Sequence, residues 1–158
     1  TPLYSSAASD VYKRQFEELL AALAQALGQP SLPVGQDGTC TLIIDGRLAV
    51  NLAVDPQGRD VQIFASLGHV PAEHRAAIHV RMLQANGAGA SPYTLGLTRQ
   101  GDTAILSARR PLAEPAVPDL ADGIAAFAQN ALRWQASLRA PADDTAGAAP
   151  APGTWMPA

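Results

Sequence analysis

The sequence predicts an α+β fold, in which a five-stranded antiparallel sheet is combined with three helices in the chain order α-β-β-β-α-β-β-α. Two observations support this prediction. Apolar residues recur at helical three- and four-residue spacing near the start, in the middle and near the end of the chain, with alternating stretches between them. The alternating stretches come as a group of three and then as a pair, so helices and strands do not alternate one for one as in a parallel doubly wound sheet.

The first helix and a three-stranded meander occupy the first half of the sequence. One apolar helical stripe runs from Phe16 to Leu27, and Gly28 is suited to end the helix. Three strand-like segments follow, over residues 40–45, 48–55 and 60–67. Because Asp45 and Gly46 tolerate the positive φ that a tight hairpin turn requires, the first two segments are predicted to pair as antiparallel strands.

The second helix is predicted to begin at Pro71, which suits a first helical turn, and to run to Asn86 before Gly87. It carries two apolar stripes on roughly opposite sides, one made of Ala72, Ala76, Val80 and Leu83, the other of Ile78, Met82 and Ala85. A helix that lies on a sheet buries one stripe. The second stripe is therefore expected to pack against another element of the chain or against the same helix of a second copy.

Two strands and a third helix complete the prediction. The alternating segments 93–99 and 103–109 flank a Gln-Gly-Asp turn and are expected to form a hairpin. The last helix is predicted to begin near Asp119 and to end before Pro141. Its apolar stripe steps by four and three residues through Leu120, Ile124, Phe127, Ala131, Trp134 and Leu138.

Composition divides the chain into three parts. Residues 1–15 carry the only lysine of the sequence and lack apolar periodicity, so we predict a foreign or disordered leader. Residues 140–158 are rich in Ala, Pro and Gly and are predicted to be a disordered tail, in which Trp155 and Met156 are a stray apolar pair or a hook for a partner. The folded domain is therefore expected over residues 16–139.

Composition also excludes several classes of protein. With 11 Lys plus Arg against 14 Asp plus Glu and a formal net charge of -3, the sequence has no basic stripe for a nucleic-acid backbone. No apolar run approaches the roughly 20 residues of a membrane helix, so we predict a cytoplasmic protein that binds neither nucleic acid nor membrane. The single cysteine, Cys40, can form neither an internal disulfide nor a thiolate metal site.

No arrangement of residues specifies a reaction. His69, His74 and His79 are spaced by five residues, which on a helix turns successive side chains away from a shared metal. Ser66 and other serines lack the sequence of a nucleophile elbow. The sequence therefore predicts a noncatalytic protein with no cofactor and no metal. An unrecognised hydrolase that uses Cys40 or a histidine is the weakest alternative.

The order of several short motifs carries a resemblance to a known family. The segments that carry it are TCTLIIDG, LAVNLAV, VQIFASLGHVP, MLQAN, YTLGL and TAILSARRPL. The most telling are Leu67-Gly68 followed by Pro71, then residues 83–86, then Leu95-Gly96-Leu97 before the last hairpin strand. Over residues 16–139 the chain resembles the Tir-chaperone family, the class I chaperones of bacterial type III secretion.

This resemblance implies a homodimer in the bacterial cytoplasm. It implies that the dimer binds the N-terminal chaperone-binding segment of secreted effectors, holds it in non-globular form and delivers it to the secretion machinery. The second helix would then form the dimer interface, for which we predict Ile78, Met82, Ala85, Tyr93 and Leu95. Candidate effector-binding residues are Leu19, Leu23, Leu42, Ile44 and Phe64. A noncatalytic bacterial adaptor of the same fold, whose partner is not a secreted effector, is the alternative.

Overall fold

The computed structural model describes residues 4–87, 91–113 and 117–139. In these ranges the three helices are α1 (Tyr4–Ala26), α2 (Arg75–Gly87) and α3 (Val117–Arg139). The five strands are β1 (Cys40–Ile44), β2 (Leu48–Val54), β3 (Asp60–His69), β4 (Thr94–Leu97) and β5 (Thr103–Pro111), and one 3-10 turn (Ala72–His74) precedes α2. The predicted fold class and order of elements are confirmed.

The strands form one antiparallel sheet in the order β1-β2-β3-β5-β4. At the turn between β1 and β2, Asp45 has a φ of 51° and Gly46 a φ of 66°, and the Arg47 N–H donates to the Ile44 carbonyl at 3.1 Å. The two predicted turn residues thus adopt the left-handed conformations of a tight hairpin. The second hairpin places β4 outside β5, so β1 and β4 are the two edges of the sheet.

One face of the sheet forms the core together with α1 and α3. In β2, Leu48, Val50 and Leu52 are at most 1% exposed, whereas the residues between them are half-buried or exposed. α3 contributes Phe127 at 1% exposure and α1 contributes Leu23 at 0%. We call the sheet face that packs on these helices the helical face and the opposite one the open face. The alternation that predicted the strands therefore separates buried from accessible side chains.

Helix α1 begins well before the predicted position. It extends back to Tyr4, so residues 4–15, expected to be a foreign or disordered leader, are helical. Tyr12 packs against the core, with its ring beside Gly58, where a side chain would have no room. The predicted start of the helix near Phe16 is corrected accordingly, while a foreign origin for this segment stays a prediction. The predicted tail, with Trp155 and Met156, lies outside the described residues.

Candidate functional site

Helix α2 turns one apolar stripe towards solvent. Val80 is 53% exposed and Leu83 is 70% exposed, while Ile78 and Met82 are each 4% exposed. At 100° per residue, Ala76, Val80, Leu83 and Gly87 share the side opposite Ile78 and Met82. We call these four residues the outward stripe. It contains no charged side chain, although it lies on the surface of the chain.

The outward stripe is not the stripe that we predicted for a dimer interface. Ile78, Met82 and Leu95 are buried within the single chain, and Ala85 and Tyr93 are half-buried against its core. The Tyr93 ring meets the Phe127 ring edge-on, with 5.8 Å between ring centres. Within the single chain the exposed stripe is therefore the opposite one, and the assignment of Ile78, Met82 and Ala85 to a dimer interface stays a prediction.

Side chains on both flanks of the buried stripe attach α2 to its neighbours. The Asn86 side chain donates to the Leu95 carbonyl at 2.9 Å and accepts from the Leu95 N–H at 2.8 Å. Arg81 donates to the Ser137 hydroxyl on α3, and its guanidinium carbon lies 5.8 Å from the centre of the Trp134 ring. Asn86 thus links the helix to the edge strand β4 by hydrogen bonds, and Arg81 links it to α3.

At the opposite edge of the sheet, β1 borders an apolar groove of about 640 Å³. Within the described ranges β1 pairs with β2 on one side, and on the other side Val34 bridges to Cys40 at the start of the strand. No strand of the described residues lies beside the rest of that outer edge, residues 41–44. The groove lies between this edge, the segment that follows α1, and α3; it is lined among others by Leu27, Leu32, Leu42, Ile44, Ala121, Ala125, Ala128 and Leu132.

The structure separates the five predicted effector-binding residues into three places. Leu42 and the half-buried Ile44 line the β1 groove. Phe64 lies half-buried on the open face, where it borders a second concavity of about 440 Å³ with Thr41 and Asn51. By contrast, Leu19 and Leu23 are 6% and 0% exposed. These two leucines lie in the core of the single chain, and a role for them in effector binding stays a prediction.

The groove also contains residues that the sequence analysis did not single out. Leu32 comes from the irregular segment before β1, and Ala125 is an exposed residue of α3. A signal for the α3 side existed, because Ala121, Ala125, Ala128 and Leu132 follow helical spacing beside the stripe that predicted the core. No sequence signal indicates that Leu32 would meet this face of α3.

The perturbed ionisable groups belong to structural turns and to the core. Burial on its own would raise the pKa of Asp55, but hydrogen bonds from backbone N–H groups and the charge of Arg59 lower it on balance. The N–H groups of Arg59 and Asp60 donate to its carboxylate at 2.7 and 3.2 Å. Burial raises the pKa of the Cys40 thiol. Asp55 therefore organises the turn between β2 and β3, and Cys40 lies in an environment that disfavours a reactive thiolate.

Among residues 4–87, 91–113 and 117–139, no group of three His, Cys, Asp or Glu side chains could hold a metal ion. No helix in those ranges is long and apolar enough to cross a membrane. What these residues do present to a partner is apolar surface, at the β1 groove and on the outward stripe of α2.

The comparisons with known proteins agree with this architecture. The sequence model of the Tir chaperone protein (CesT) family matches residues 18–135. No curated protein matches the sequence. Because the family model covers most of the chain, the protein belongs to the Tir chaperone protein family.

Several solved structures share the fold. A chain of the HopA1-SchA chaperone-effector complex matches with a TM-score of 0.67 at 20% identity, covering 78% of this chain and 95% of that one. A chain of the Yersinia pestis complex of the type III secretion chaperone SycH with a stable fragment of YscM2 matches with a TM-score of 0.61 at 18% identity, covering 75% and 98%. A chain of the heterodimeric ExoU-SpcU complex from the type III secretion system of Pseudomonas aeruginosa matches at 0.60 and 21%, covering 76% and 97%.

Proposed function

We propose that the protein is a noncatalytic type III secretion chaperone of the bacterial cytoplasm. It acts as a homodimer that binds the N-terminal segment of a secreted effector and keeps it extended and competent for secretion. Family membership supports the class, as do structural neighbours that come from chaperone-effector complexes. The structural observation that carries the proposal is the outer edge of β1 over residues 41–44, which pairs with no other described residue and lies beside an apolar groove.

An extended client segment fits this edge on physical grounds. Backbone groups on the outer side of residues 41–44 can pair with a client strand, since a strand edge presents N–H and C=O groups that seek partners. Because side chains alternate along a strand, every second client residue would point into the groove between Ile44 and the alanines of α3. The small side chains of Ala125 and Ala128 leave space there for large apolar client residues.

A homodimer would cover a second exposed apolar surface, the outward stripe of α2. The outward stripe places Val80 and Leu83 on the surface without a charged residue among its four members. A second copy that presents the same stripe is self-complementary, as a two-fold interface requires. The proposed interface therefore uses the helix that the family resemblance indicated, but through its opposite side.

Co-purification of client fragments tests the proposal. The chain is co-expressed with N-terminal fragments of the type III effectors of the same bacterium, and captured complexes are weighed by light scattering. We expect a dimer of this chain bound to one fragment that shows no globular fold by its amide NMR spectrum. Capture of a folded protein while every effector fragment fails would favour the adaptor of the same fold, and a fragment that binds a single copy would contradict the homodimer.

A further inference from the structure

Helix α2 is attached to the body of the chain by few side chains. Ile78 and Met82 are its buried residues. Ala85 packs half-buried against the core, and hydrogen bonds link Asn86 to β4 and Arg81 to α3. Burial of Ile78 and Met82 holds the helix against the core, and hydrogen bonds on its flanks add directional restraints on its rotation about its own axis.

The two polar attachments lie on opposite flanks of the buried stripe. At 100° per residue, Arg81 falls on one side of Ile78 and Met82, and Asn86 falls on the other. Each reaches a different neighbour, because Arg81 binds α3 and Asn86 binds β4. Because the Arg81 and Asn86 hydrogen bonds lie on opposite sides of the helix, rotation in either direction lengthens one of them. Together they fix the direction in which the outward stripe points.

The two contacts of Arg81 with α3 restrict the orientation of α2. Trp134 and Ser137 are three residues apart and so share one side of α3, which lets a single guanidinium reach both. The group contacts the Trp134 ring as a cation and donates to the Ser137 hydroxyl. A planar guanidinium held at two points has little freedom, unlike an ammonium group. Arg81 itself is half-buried, and the outward stripe lies on another side of the helix.

We propose that Arg81 is a positioning residue for self-association. By binding Trp134 and Ser137 it sets the rotation of α2, and with it the angle at which Val80 and Leu83 meet a second copy. This inference rests on the proposed homodimer. Arg81 thus controls the dissociation constant of the dimer although it lies outside the interface.

The first experiment measures that dissociation constant by sedimentation during dilution, under conditions in which every variant is folded by circular dichroism. We expect Arg81→Leu to raise it about tenfold, and Arg81→Lys, which keeps a cation near the ring but loses the planar fork, to raise it about threefold. The matched control is Arg133→Leu, which removes the same charge from an exposed position of α3. If Arg81→Leu does not fold, Ser137→Ala replaces it, with an expected rise of about threefold.

The second experiment reports the rotation of the helix, which a loss of stability alone would not change. Single cysteines replace Leu83 on the outward stripe or Gln84, about 100° further round the helix, and disulfide-linked dimers are counted after mild oxidation at a concentration at which each variant is dimeric by sedimentation. Cys40 is buried, so it does not compete. We expect position 83 to cross-link far more than position 84 with Arg81 present, and this contrast to be lost in Arg81→Leu.

The outcomes separate the two proposals. A dimer whose dissociation constant and cross-linking contrast are the same in Arg81→Leu as in Arg133→Leu overturns the positioning role and leaves the homodimer in place. An unsubstituted chain that stays monomeric at all concentrations overturns both.

Discussion

Removing the Leu83 side chain tests the dimer surface most directly. Leu83 is 70% exposed in the single chain. Complete burial of the three carbons that Leu83→Ala removes is worth about 2.4 kcal/mol, at about 0.8 kcal/mol for each carbon group. Scaled by the exposed fraction, this gives about 1.7 kcal/mol for each copy and about 3.4 kcal/mol for the two copies in a dimer. At about 1.4 kcal/mol for each factor of ten, the dissociation constant should rise about 300-fold if the interface covers the residue fully, and about 15-fold if it covers half.

The assay is a dilution series followed by sedimentation velocity, with Ile43→Ala as the matched control. Ile43 is 63% exposed and lies on β1, at the other edge of the sheet from α2, so its loss should leave the dimer unchanged. The urea midpoint of the monomer should also change little, because exposed side chains contribute within about 0.5 kcal/mol. A rise below about threefold for Leu83→Ala, or an equal rise for Ile43→Ala, would refute the assignment of the outward stripe as the interface.

Three further predictions concern the client groove, the edge strand and acid stability. Ala125→Trp should fill the β1 groove and weaken binding of a captured effector fragment about tenfold or more by calorimetry, whereas Ala126→Trp, on an exposed neighbour outside the groove, should not. In Asn86→Asp the side chain can no longer donate to the Leu95 carbonyl on β4, so the free energy of unfolding in urea should fall by about 1–3 kcal/mol. A fall no larger than that in the control Gln84→Glu, at an exposed position, would contradict this prediction. The folded-state pKa of Asp55 is lowered, so its contribution to stability is present above the unfolded pKa of about 3.9 and is lost as the pH falls through the lower folded value. As the pH is lowered from about 5 to about 2.5, the urea midpoint of the unsubstituted chain should therefore fall by more than that of Asp55→Asn. An equal fall of the urea midpoint in both proteins would contradict this.

The strands could be predicted because local chemistry determines them. The alternation of Leu48, Val50 and Leu52 gives β2 its buried face, and Asp45 with Gly46 gives the hairpin its turn. The start of α1 could not be predicted in the same way. Residues before Phe16 have no apolar stripe, and the contact that involves Tyr12 is with Gly58, far along the sequence. Periodicity within one segment carries no information about a partner so remote.

The candidate sites depend on tertiary choices of the same kind. Periodicity shows that α2 has two apolar stripes, but which one is buried depends on how β4 and α3 lie beside it. The structure of the single chain buries Ile78 and Met82, whereas the sequence predicts this stripe for a dimer interface. The β1 groove joins segments more than 80 residues apart, such as Leu32 and Ala125. Its existence follows from the packing of α3 on the sheet and from no single motif.

The two edges of the sheet differ in a way that bears on how the proposed activities could coexist. At β4, Asn86 already bonds both backbone groups of Leu95, so a client strand would have to displace a partner there. At β1, residues 41–44 have no such partner among the described residues. An extended client would thus add at β1, while a second copy would meet α2 beside β4. Because three strands separate these edges, neither partner needs to compete with the other for surface, and substitutions should be able to abolish one interaction while the other persists.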